Sequence, residues 1–220
     1  MEENKSIEEI KELGTSGTSG KDGGTGGIHT VTIIGQIEGH FVAEGSQKST
    51  KYEHLIPLLV ALEQSNEARG VLIVLNTMGG DVEAGLGIAE MISSMTKPTV
   101  SLVIGGSHSI GVPIAVAARM SFITPSATMT LHPVRVNGLV VGAPQTYNYF
   151  ADMQRRIVDF ICRNSRATPE KINELMMRPD MMATDVGTVL EAHEALEVGL
   201  IDRIGGLSDA LAALEDMINK

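Results

Sequence analysis

The sequence predicts a single α/β domain in which βαβ units build a largely parallel sheet. The run 71–75 is short and continuously apolar, as is typical of a strand buried on both faces, and 99–104 is a second predicted buried strand. Amphipathic helical patterns alternate with these runs, and that alternation indicates right-handed βαβ crossovers. The 220 residues are enough for one domain with a sizeable core, which we expect to span 28–220.

Each predicted element rests on its own pattern of apolar residues. The predicted strands are HTVTIIGQI (29–37), VLIVL (71–75), TVSLVI (99–104), MSFIT (120–124) and TMTLH (128–132). The predicted helices cover 50–65, 81–95, 109–118, 143–166, 190–196 and 209–219, with a further helix that opens at Thr168-Pro169. Pro57 predicts a kink or a late start in the first helix, and Ser208 is the predicted cap of the last.

Residues 1–27 are predicted to be a flexible N-terminal extension. The stretch 14–27 is GTSGTSGKDGGTGG, and such a composition buries too little apolar surface to offset the entropy lost on ordering. It contains no phosphate-binding pattern, because no Gly-Lys-Ser/Thr follows the glycines.

Composition excludes several classes of function. The net charge of −10 argues against non-specific binding of nucleic acid and against docking on an anionic membrane. No apolar run reaches the length of a transmembrane helix, and no signal peptide opens the chain. The single cysteine, Cys162, cannot form an internal disulfide, which suits the reducing cytoplasm. No cluster has metal-ligand spacing, so neither a metal nor another cofactor is expected.

Two glycine-containing turns follow predicted strands, at the sheet edge where α/β proteins place their sites. They are NTMGG (76–80) and GGSHSIG (105–111). Ser109 stands between a strand and a helix, where a hydroxyl is exposed beside unpaired N–H groups, and the N–H of Ile110 would point at a developing oxyanion. The G-x-S-x-G spacing of a nucleophile elbow is not met, because position 107 is also serine. Ser109 is therefore either a nucleophile or a plain helix cap, and Ser107 is the other candidate serine.

A nucleophilic serine needs a base and donors for the oxyanion. Among six histidines, His132 follows a strand that would return to the edge carrying Ser109, whereas the side chain of adjacent His108 diverges from it. The alternative role of His132 is that of a strand-end residue that caps a loop. The N–H of Gly79 is the candidate second donor, although a tight turn alone would also explain that glycine.

These pieces, taken in order, resemble the proteolytic subunit of the Clp protease. The motifs that carry the resemblance are NTMGG (76–80), HSIGV (108–112), LHP (131–133) and EALEVGLID (194–202), and together they span about 28–205. Within that family, the chain is most similar to the divergent translocation-enhancing proteins of spore-forming bacteria.

The resemblance implies a crotonase-like, ClpP-type fold in which a handle helix at about 143–166 protrudes. It implies a Ser-His-Asp peptidase acting on polypeptides inside a homo-oligomer of stacked rings. It carries the nucleophile onto Ser109, the general base onto His132 and the oxyanion donors onto the N–H groups of Gly79 and Ile110. Ser107 lies off the family position.

Three departures from the family pattern bear on function. Counting back from 199–202 puts the family's catalytic aspartate on Gly187, which leaves Asp185, or else Asp180, to complete the triad. Met78 replaces the proline of the glycine turn. Leu72 and Val74 replace tyrosines that help the family to receive an AAA+ unfoldase, so the docking residues for such a partner are absent.

The leading hypothesis is accordingly a serine endopeptidase that uses Ser109, His132 and Asp185. A Ser-Lys dyad is a variant of it, with Lys97 and Lys171 as remote candidates. The second hypothesis is a non-catalytic or weakly active assembly that binds or processes exported or sporulation proteins, and it is motivated by Gly187. The third is a crotonase-type acyl-CoA enzyme, which shares the fold and the glycine donors.

Overall fold

The computed structural model describes residues 16–18, 27–40, 48–135, 142–179 and 186–220. The strands in these ranges are β1 (Ser16–Thr18), β2 (Ile28–Glu38), β3 (Ser49–Lys51), β4 (Gly70–Gly80), β5 (Thr99–His108), β6 (Met120–Ile123), β7 (Thr128–Leu131), β8 (Thr188–Glu191) and β9 (Arg203–Ile204). The helices are α1 (Tyr52–Gln64), α2 (Val82–Ser94), α3 (Gly111–Val116), α4 (Ala143–Arg163), α5 (Pro169–Met176), α6 (Ala192–Glu197) and α7 (Leu207–Ile218).

The sheet is largely parallel, as the alternating pattern predicts. Strands β2, β4, β5, β6 and β9 lie in that order and pair in parallel. Strand β7 pairs in parallel with the last three residues of β5, and β8 returns antiparallel to β7. Because of this additional pairing, β5 continues past the end of β6. The last residues of β5 therefore lie at the edge of the sheet where β7 also ends.

Helices cover both faces of the sheet. The larger core lies between the sheet and helices α1 to α6. It is built almost wholly from aliphatic side chains, and Phe160 is its one buried aromatic residue among the described residues. The smaller core lies under α7, where Leu72, Leu102 and Phe122 meet Ala210 and Leu214. A chain with 3% aromatic residues thus fills two cores with branched aliphatic residues and alanine.

Helix α4 is the predicted protruding helix. Its buried residues all lie in its second half, and they are Met153, Ile157, Val158, Phe160 and Ile161. Its first half carries Tyr147 and Tyr149 with 74% and 55% of their surface exposed. Two ion pairs fasten the second half to α2, and they join Arg156 to Glu83 at 2.6 Å and Arg163 to Glu90 at 2.9 Å. Cys162 lies half-buried in this half of the helix.

Several predicted boundaries were wrong. Residues 190–196 do not form one helix, because 190–191 complete β8 and α6 begins only at Ala192. The N-cap of α7 is Gly206 and not Ser208, since the carboxylate of Asp209 accepts the Gly206 N–H and starts the helix earlier. Helix α1 contains Pro57 and begins five residues before it, so no late start occurs.

The N-terminal extension is described only at Ser16–Thr18. Those three residues pair antiparallel with 28–30 of β2, and so they add a strand where we expected a tether. Residues 1–15 and 19–26 lie outside the described ranges, and their flexibility stays a prediction. None of the helices in the described ranges is both long enough and apolar enough to cross a bilayer.

Candidate active site

The ends of β5 and β7 meet at one edge of the sheet. Gly106, Ser107 and His108 pair in parallel with 128–130, and the N–H of Ser109 continues this ladder by donating to the carbonyl of Thr130 at 2.9 Å. The predicted loop GGSHSIG is therefore mostly strand, since β5 runs through its first four residues. Ser109 is the first residue after that strand, and His132 is the first residue after β7.

Ser109 has a left-handed backbone conformation with φ of +56°, and it is the one non-glycine residue in the described ranges with a positive φ. Such a conformation is costly for a residue with a Cβ and is often found at functional sites. Hydrogen bonds hold it from both sides, because the carbonyl of Ser109 accepts the Val112 N–H at 3.0 Å. The N-cap of α3 is Ile110 and receives no side-chain hydrogen bond, so Ser109 does not act as the helix cap.

Ser109 and His132 line the same small cleft. Its volume is about 120 Å³, and its wall is formed by Gly80, Val82, Ser109, Ile110, Leu131, His132, Pro133, Val134, Arg135, Ile157 and Met176. The cleft combines the polar side chains of Ser109, His132 and Arg135 with apolar side chains and backbone. The structure thus brings together the two residues on which the sequence places nucleophile and base.

The imidazole of His132 is held by the backbone that follows it. Its Nδ1 lies 2.7 Å from the carbonyl oxygen of Pro133. A carbonyl only accepts, so Nδ1 carries the hydrogen and Nε2 keeps its lone pair when the ring is neutral. That is the tautomer a general base needs, because the lone pair on Nε2 takes the proton.

The side chain of His108 contacts β7 and does not line the cleft. Its Nδ1 lies 2.7 Å from the hydroxyl oxygen of Thr130, on the strand that leads to His132. Burial lowers the pKa of His108 below its ordinary value, and the neighbouring charge of His132 lowers it further. His108 is therefore a neutral, partly buried ring at neutral pH.

Ser107 is a structural serine. Its side chain is fully buried, and its hydroxyl donates to the carbonyl of Gly111 at 2.7 Å. This bond joins the end of β5 to the first turn of α3 and fixes the turn that presents Ser109. Ser107 does not line the cleft.

The second glycine turn approaches Ser109 closely. Gly79 has a φ of +90°, and a Cβ placed on it would lie 2.8 Å from the Cβ of Ser109. Only glycine fits this contact. However, the N–H of Gly79 donates to the hydroxyl oxygen of Thr77 at 3.0 Å, and that hydroxyl donates to the Gly35 carbonyl at 2.6 Å. The predicted donor is thus already bonded in this structure.

Ile110 and Gly80 also line the cleft. The N–H of Ile110 has no acceptor among the described residues, so this predicted donor is not engaged by another group there. The N–H of Asp81 donates to the Ile37 carbonyl on β2 at 2.9 Å and ties the end of the glycine turn to that strand. Gly79 stays the predicted second donor.

The third member of a triad is not described. Asp180 and Asp185 both lie outside the described residues. Gly187, which occupies the family's aspartate position by ungapped counting, has a φ of +141° and donates its N–H to the Arg178 carbonyl at 2.8 Å. The left-handed glycine conformation disfavours any residue with a side chain at this position.

The two candidate lysines of a Ser-Lys dyad are used elsewhere. The ammonium group of Lys97 donates to the carbonyls of Ser65 and Ala68. That of Lys171 pairs with Glu174 on α5 at 3.0 Å. Neither lysine lines the cleft.

Leu72 and Val74, the two positions at which docking tyrosines were expected from the resemblance, lie on β4 beside the smaller core. Leu72 is 1% exposed and packs beneath α7, and Val74 packs partly against the same core.

No group of three or more His, Cys, Asp and Glu side chains within the described ranges is arranged to hold a metal ion.

Three residues near the cleft were missed by sequence reasoning. Thr77 holds the N–H of Gly79, the carbonyl of Pro133 holds His132, and the side-chain oxygen of Gln154 accepts the N–H of Val134 at 3.2 Å. The proline directly after His132 is the only sequence signal that pointed to a fixed loop there. The hydrogen bonds themselves depend on tertiary packing and leave no pattern along the chain.

Comparisons with known proteins match this chain to Clp proteases and their relatives. A family model described as Clp protease matches residues 26–207. The translocation-enhancing protein TepA of Halalkalibacterium halodurans is 54% identical over 193 residues, which cover 88% of this chain and 75% of that protein. The ATP-dependent Clp protease proteolytic subunit 1 of Chlamydia abortus is 28% identical over 149 residues, covering 65% of this chain and 73% of that protein.

The fold is similar to a solved structure of the same family. A point mutant of ClpP1 from Listeria monocytogenes superposes with a TM-score of 0.64 at 25% identity, covering 83% of this chain and 94% of that one. The match includes the mixed sheet with its flanking helices, and it agrees with the ClpP-type fold that the sequence motifs imply.

Proposed function

This chain belongs to the Clp protease family, and from that premise we propose that it is a serine endopeptidase that uses Ser109 and His132. The observation that carries the proposal is the strained backbone of Ser109 at the mouth of the cleft it shares with His132. The positive φ of a serine between a strand and a helix costs conformational free energy. In a peptidase this conformation has a function, because it exposes the serine hydroxyl to the substrate.

The proposed reaction is acyl transfer through the serine hydroxyl. The Oγ of Ser109 attacks the scissile carbonyl, and its proton moves to Nε2 of His132. The N–H groups of Ile110 and Gly79 stabilise the oxyanion, and that of Gly79 exchanges the Thr77 hydroxyl for the substrate oxygen. The imidazolium then gives its proton to the leaving amine as the C–N bond breaks, and water hydrolyses the acyl-enzyme by the reverse sequence.

Asp185 is retained as the carboxylate that stabilises the imidazolium. We also propose a homo-oligomer of stacked rings, in which the exposed half of α4 with Tyr147 and Tyr149 supplies the contact between rings. Polypeptides are the proposed substrates and the cytoplasm the proposed location, with no cofactor. An AAA+ partner stays a prediction, because the family's docking tyrosines are absent.

The deciding experiment is labelling with a fluorophosphonate probe, which reacts with activated serines. Wild-type protein is expected to be labelled, and Ser109→Ala is expected to lose the label. Ser126→Ala is the matched control, because Ser126 is an exposed serine away from the cleft. His132→Ala should slow labelling, since the hydroxyl then lacks its base.

Equal labelling of wild type and Ser109→Ala would overturn the assignment of the nucleophile. Absence of labelling and of casein or peptide cleavage in wild type would favour the non-catalytic assembly instead. Turnover of a CoA thioester that persists in Ser109→Ala would favour the acyl-CoA enzyme.

A further inference from the structure

The peptide bond between Pro133 and Val134 is held at both of its polar ends. Its carbonyl oxygen lies 2.7 Å from Nδ1 of His132, and its N–H donates to Oε1 of Gln154 at 3.2 Å. A planar peptide transmits orientation from one end to the other, because rotating the N–H rotates the carbonyl with it. The side chain of Gln154 on α4 is thus linked to the imidazole through a single rigid unit.

The position of Gln154 suits this link. It is half-buried on α4, three residues before Ile157, so the two side chains lie on the same helix face. Ile157 lines the cleft that contains Ser109 and His132, whereas Gln154 lines a neighbouring groove together with Pro133 and Val134. Gln154 therefore touches the support of the base and does not line the site where substrate reacts.

We propose that Gln154 is a positioning residue, which acts through the 133–134 peptide to keep His132 in the Nδ1–H tautomer. The inference rests on the proposed function, because it gives the tautomer a catalytic purpose. In a Ser-His-Asp triad, the carboxylate holds the Nδ1–H of the histidine. In this proposal the Pro133 carbonyl, which Gln154 orients from α4, holds that Nδ1–H instead. The carboxylate is then left with stabilising the charge of the imidazolium.

Two substitutions separate the hydrogen bond from the bulk of the side chain. Gln154→Leu keeps the approximate size but removes the acceptor, and Gln154→Glu keeps an acceptor oxygen for the Val134 N–H. Gln64→Leu is the matched control, because Gln64 is exposed at the end of α1, away from the cleft. All are measured with a peptide substrate at pH 8, above the usual titration range of histidine.

We expect Gln154→Leu to lower kcat about fivefold while KM stays within about twofold. The factor corresponds to about 1 kcal/mol, the usual net worth of one neutral hydrogen bond, at 1.36 kcal/mol per tenfold change in rate. Gln154→Glu should restore most of kcat, and Gln64→Leu should match wild type. Unchanged kcat in Gln154→Leu, or an equal loss in Gln154→Glu, would overturn the inference.

The tautomer is measured independently of activity by magic-angle-spinning ¹⁵N NMR on histidine-labelled protein. The His132 signals are identified by their loss in His132→Gln. Wild type is expected to show a protonated Nδ1 and a bare Nε2, and Gln154→Leu a mixture of the two neutral forms. A bare Nδ1 in wild type would overturn the inference, whereas lack of fluorophosphonate labelling would overturn the proposed function, so the two failures are told apart.

Discussion

The backbone N–H of Ser109 donates to the carbonyl oxygen of Thr130 at 2.9 Å, and this bond ties the end of β5 to β7 just before β7 ends. Because His132 follows β7 directly, the bond fixes the spacing of the candidate nucleophile and base along one sheet edge. It also holds Ser109 at its φ of +56°. The strain at Ser109 and the proximity of His132 thus have one structural cause.

The strain at Ser109 can be measured by comparing two replacements. A residue with a Cβ pays roughly 1–2 kcal/mol in the left-handed region, which glycine does not. We therefore expect Ser109→Gly to unfold in urea with a free energy about 0.5–1 kcal/mol higher than that of Ser109→Ala, after allowing for the entropy that glycine loses on folding. Ala151→Gly, at an exposed position of α4, should show the opposite order and lose about 1 kcal/mol. A more stable Ser109→Ala than Ser109→Gly would contradict the strain.

The close approach of Gly79 predicts a sharp difference between two Gly→Ala changes. At Gly79 a methyl group would lie 2.8 Å from the Cβ of Ser109 and 2.7 Å from the His108 carbonyl, at a φ of +90°. Gly79→Ala is expected to lower the free energy of unfolding by about 1–3 kcal/mol and to abolish fluorophosphonate labelling.

The control for Gly79→Ala is Gly87→Ala, in the middle of α2. Among the described residues, no atom other than those of its chain neighbours and the nearby helix backbone lies within 4 Å of a Cβ placed on Gly87, so the substitution brings helix propensity without a clash. It should raise the free energy of unfolding by about 0.5–1 kcal/mol and leave labelling intact. Loss of labelling in Gly87→Ala, or its retention in Gly79→Ala, would contradict the packing seen at the glycine turn.

The role left to a carboxylate can be tested at Asp185 and Asp180. Because the Pro133 carbonyl already accepts the Nδ1–H of His132, we propose that the carboxylate contributes charge stabilisation and not the choice of tautomer. Asp185→Asn is therefore expected to lower kcat by about ten- to a hundredfold, well short of the roughly 10⁴-fold loss seen when a triad loses its tautomer. Asp180→Asn should stay within about twofold.

Steady-state kinetics on a peptide substrate decides between the two aspartates. A larger loss in Asp180→Asn than in Asp185→Asn would transfer the role to Asp180. A loss of about 10⁴-fold in Asp185→Asn would mean that the carboxylate, and not Pro133, selects the tautomer.

Sequence patterns predicted the parallel sheet because short apolar strands alternate with helical patterns, and the strand at 71–75 is apolar at every position. They also predicted that Ser109 and His132 share an edge, since both follow strands of one sheet. They missed that β5 continues through His108, because the extra residues pair with a later strand, Gly106 with Thr128 and His108 with Thr130 on β7. The glycines there indicated a loop, and only this non-local pairing turns them into strand.

The oxyanion donors show the same limit. The sequence selected Gly79 from its place in NTMGG but gave no sign that its N–H would already be bonded within the chain. Thr77 accepts that N–H at 3.0 Å, and its hydroxyl is held in turn by the Gly35 carbonyl on β2. A hydroxyl two residues before a glycine carries no such meaning until the partner strand is known.

Restoring an aspartate at position 187 is not expected to rebuild a family triad. Gly187 has a φ of +141°, a conformation that side chains rarely adopt, and its N–H is bonded to the Arg178 carbonyl. Gly187→Asp should lower the melting temperature, at a cost of about 1–3 kcal/mol, without raising kcat. Gly187→Ala is the matched control, and it should destabilise by a similar amount. A gain in kcat in Gly187→Asp alone would show that the ungapped alignment places the aspartate correctly.

Two partly buried histidines predict how stability depends on pH. Burial lowers the pKa of His29, with Lys97 adding to the effect and Glu67 opposing it, and burial followed by the charge of His132 lowers the pKa of His108. In the unfolded chain both rings regain the usual pKa of about 6.5. As the pH falls below that value, the unfolded state binds protons before the folded state does, so the free energy of unfolding decreases.

The stabilising contribution of the two neutral rings is therefore complete above about pH 6.5 and is lost as the pH falls toward their lowered folded pKa values. Urea unfolding between pH 7.5 and 5.5 should show a decline in wild type and a flatter profile in the double variant His29→Gln/His108→Asn. Asparagine can keep a hydrogen bond to the hydroxyl of Thr130, so His108→Asn alone should remove its part of the slope without a large loss at pH 7.5. An unchanged slope in the double variant would show that other groups cause the decline.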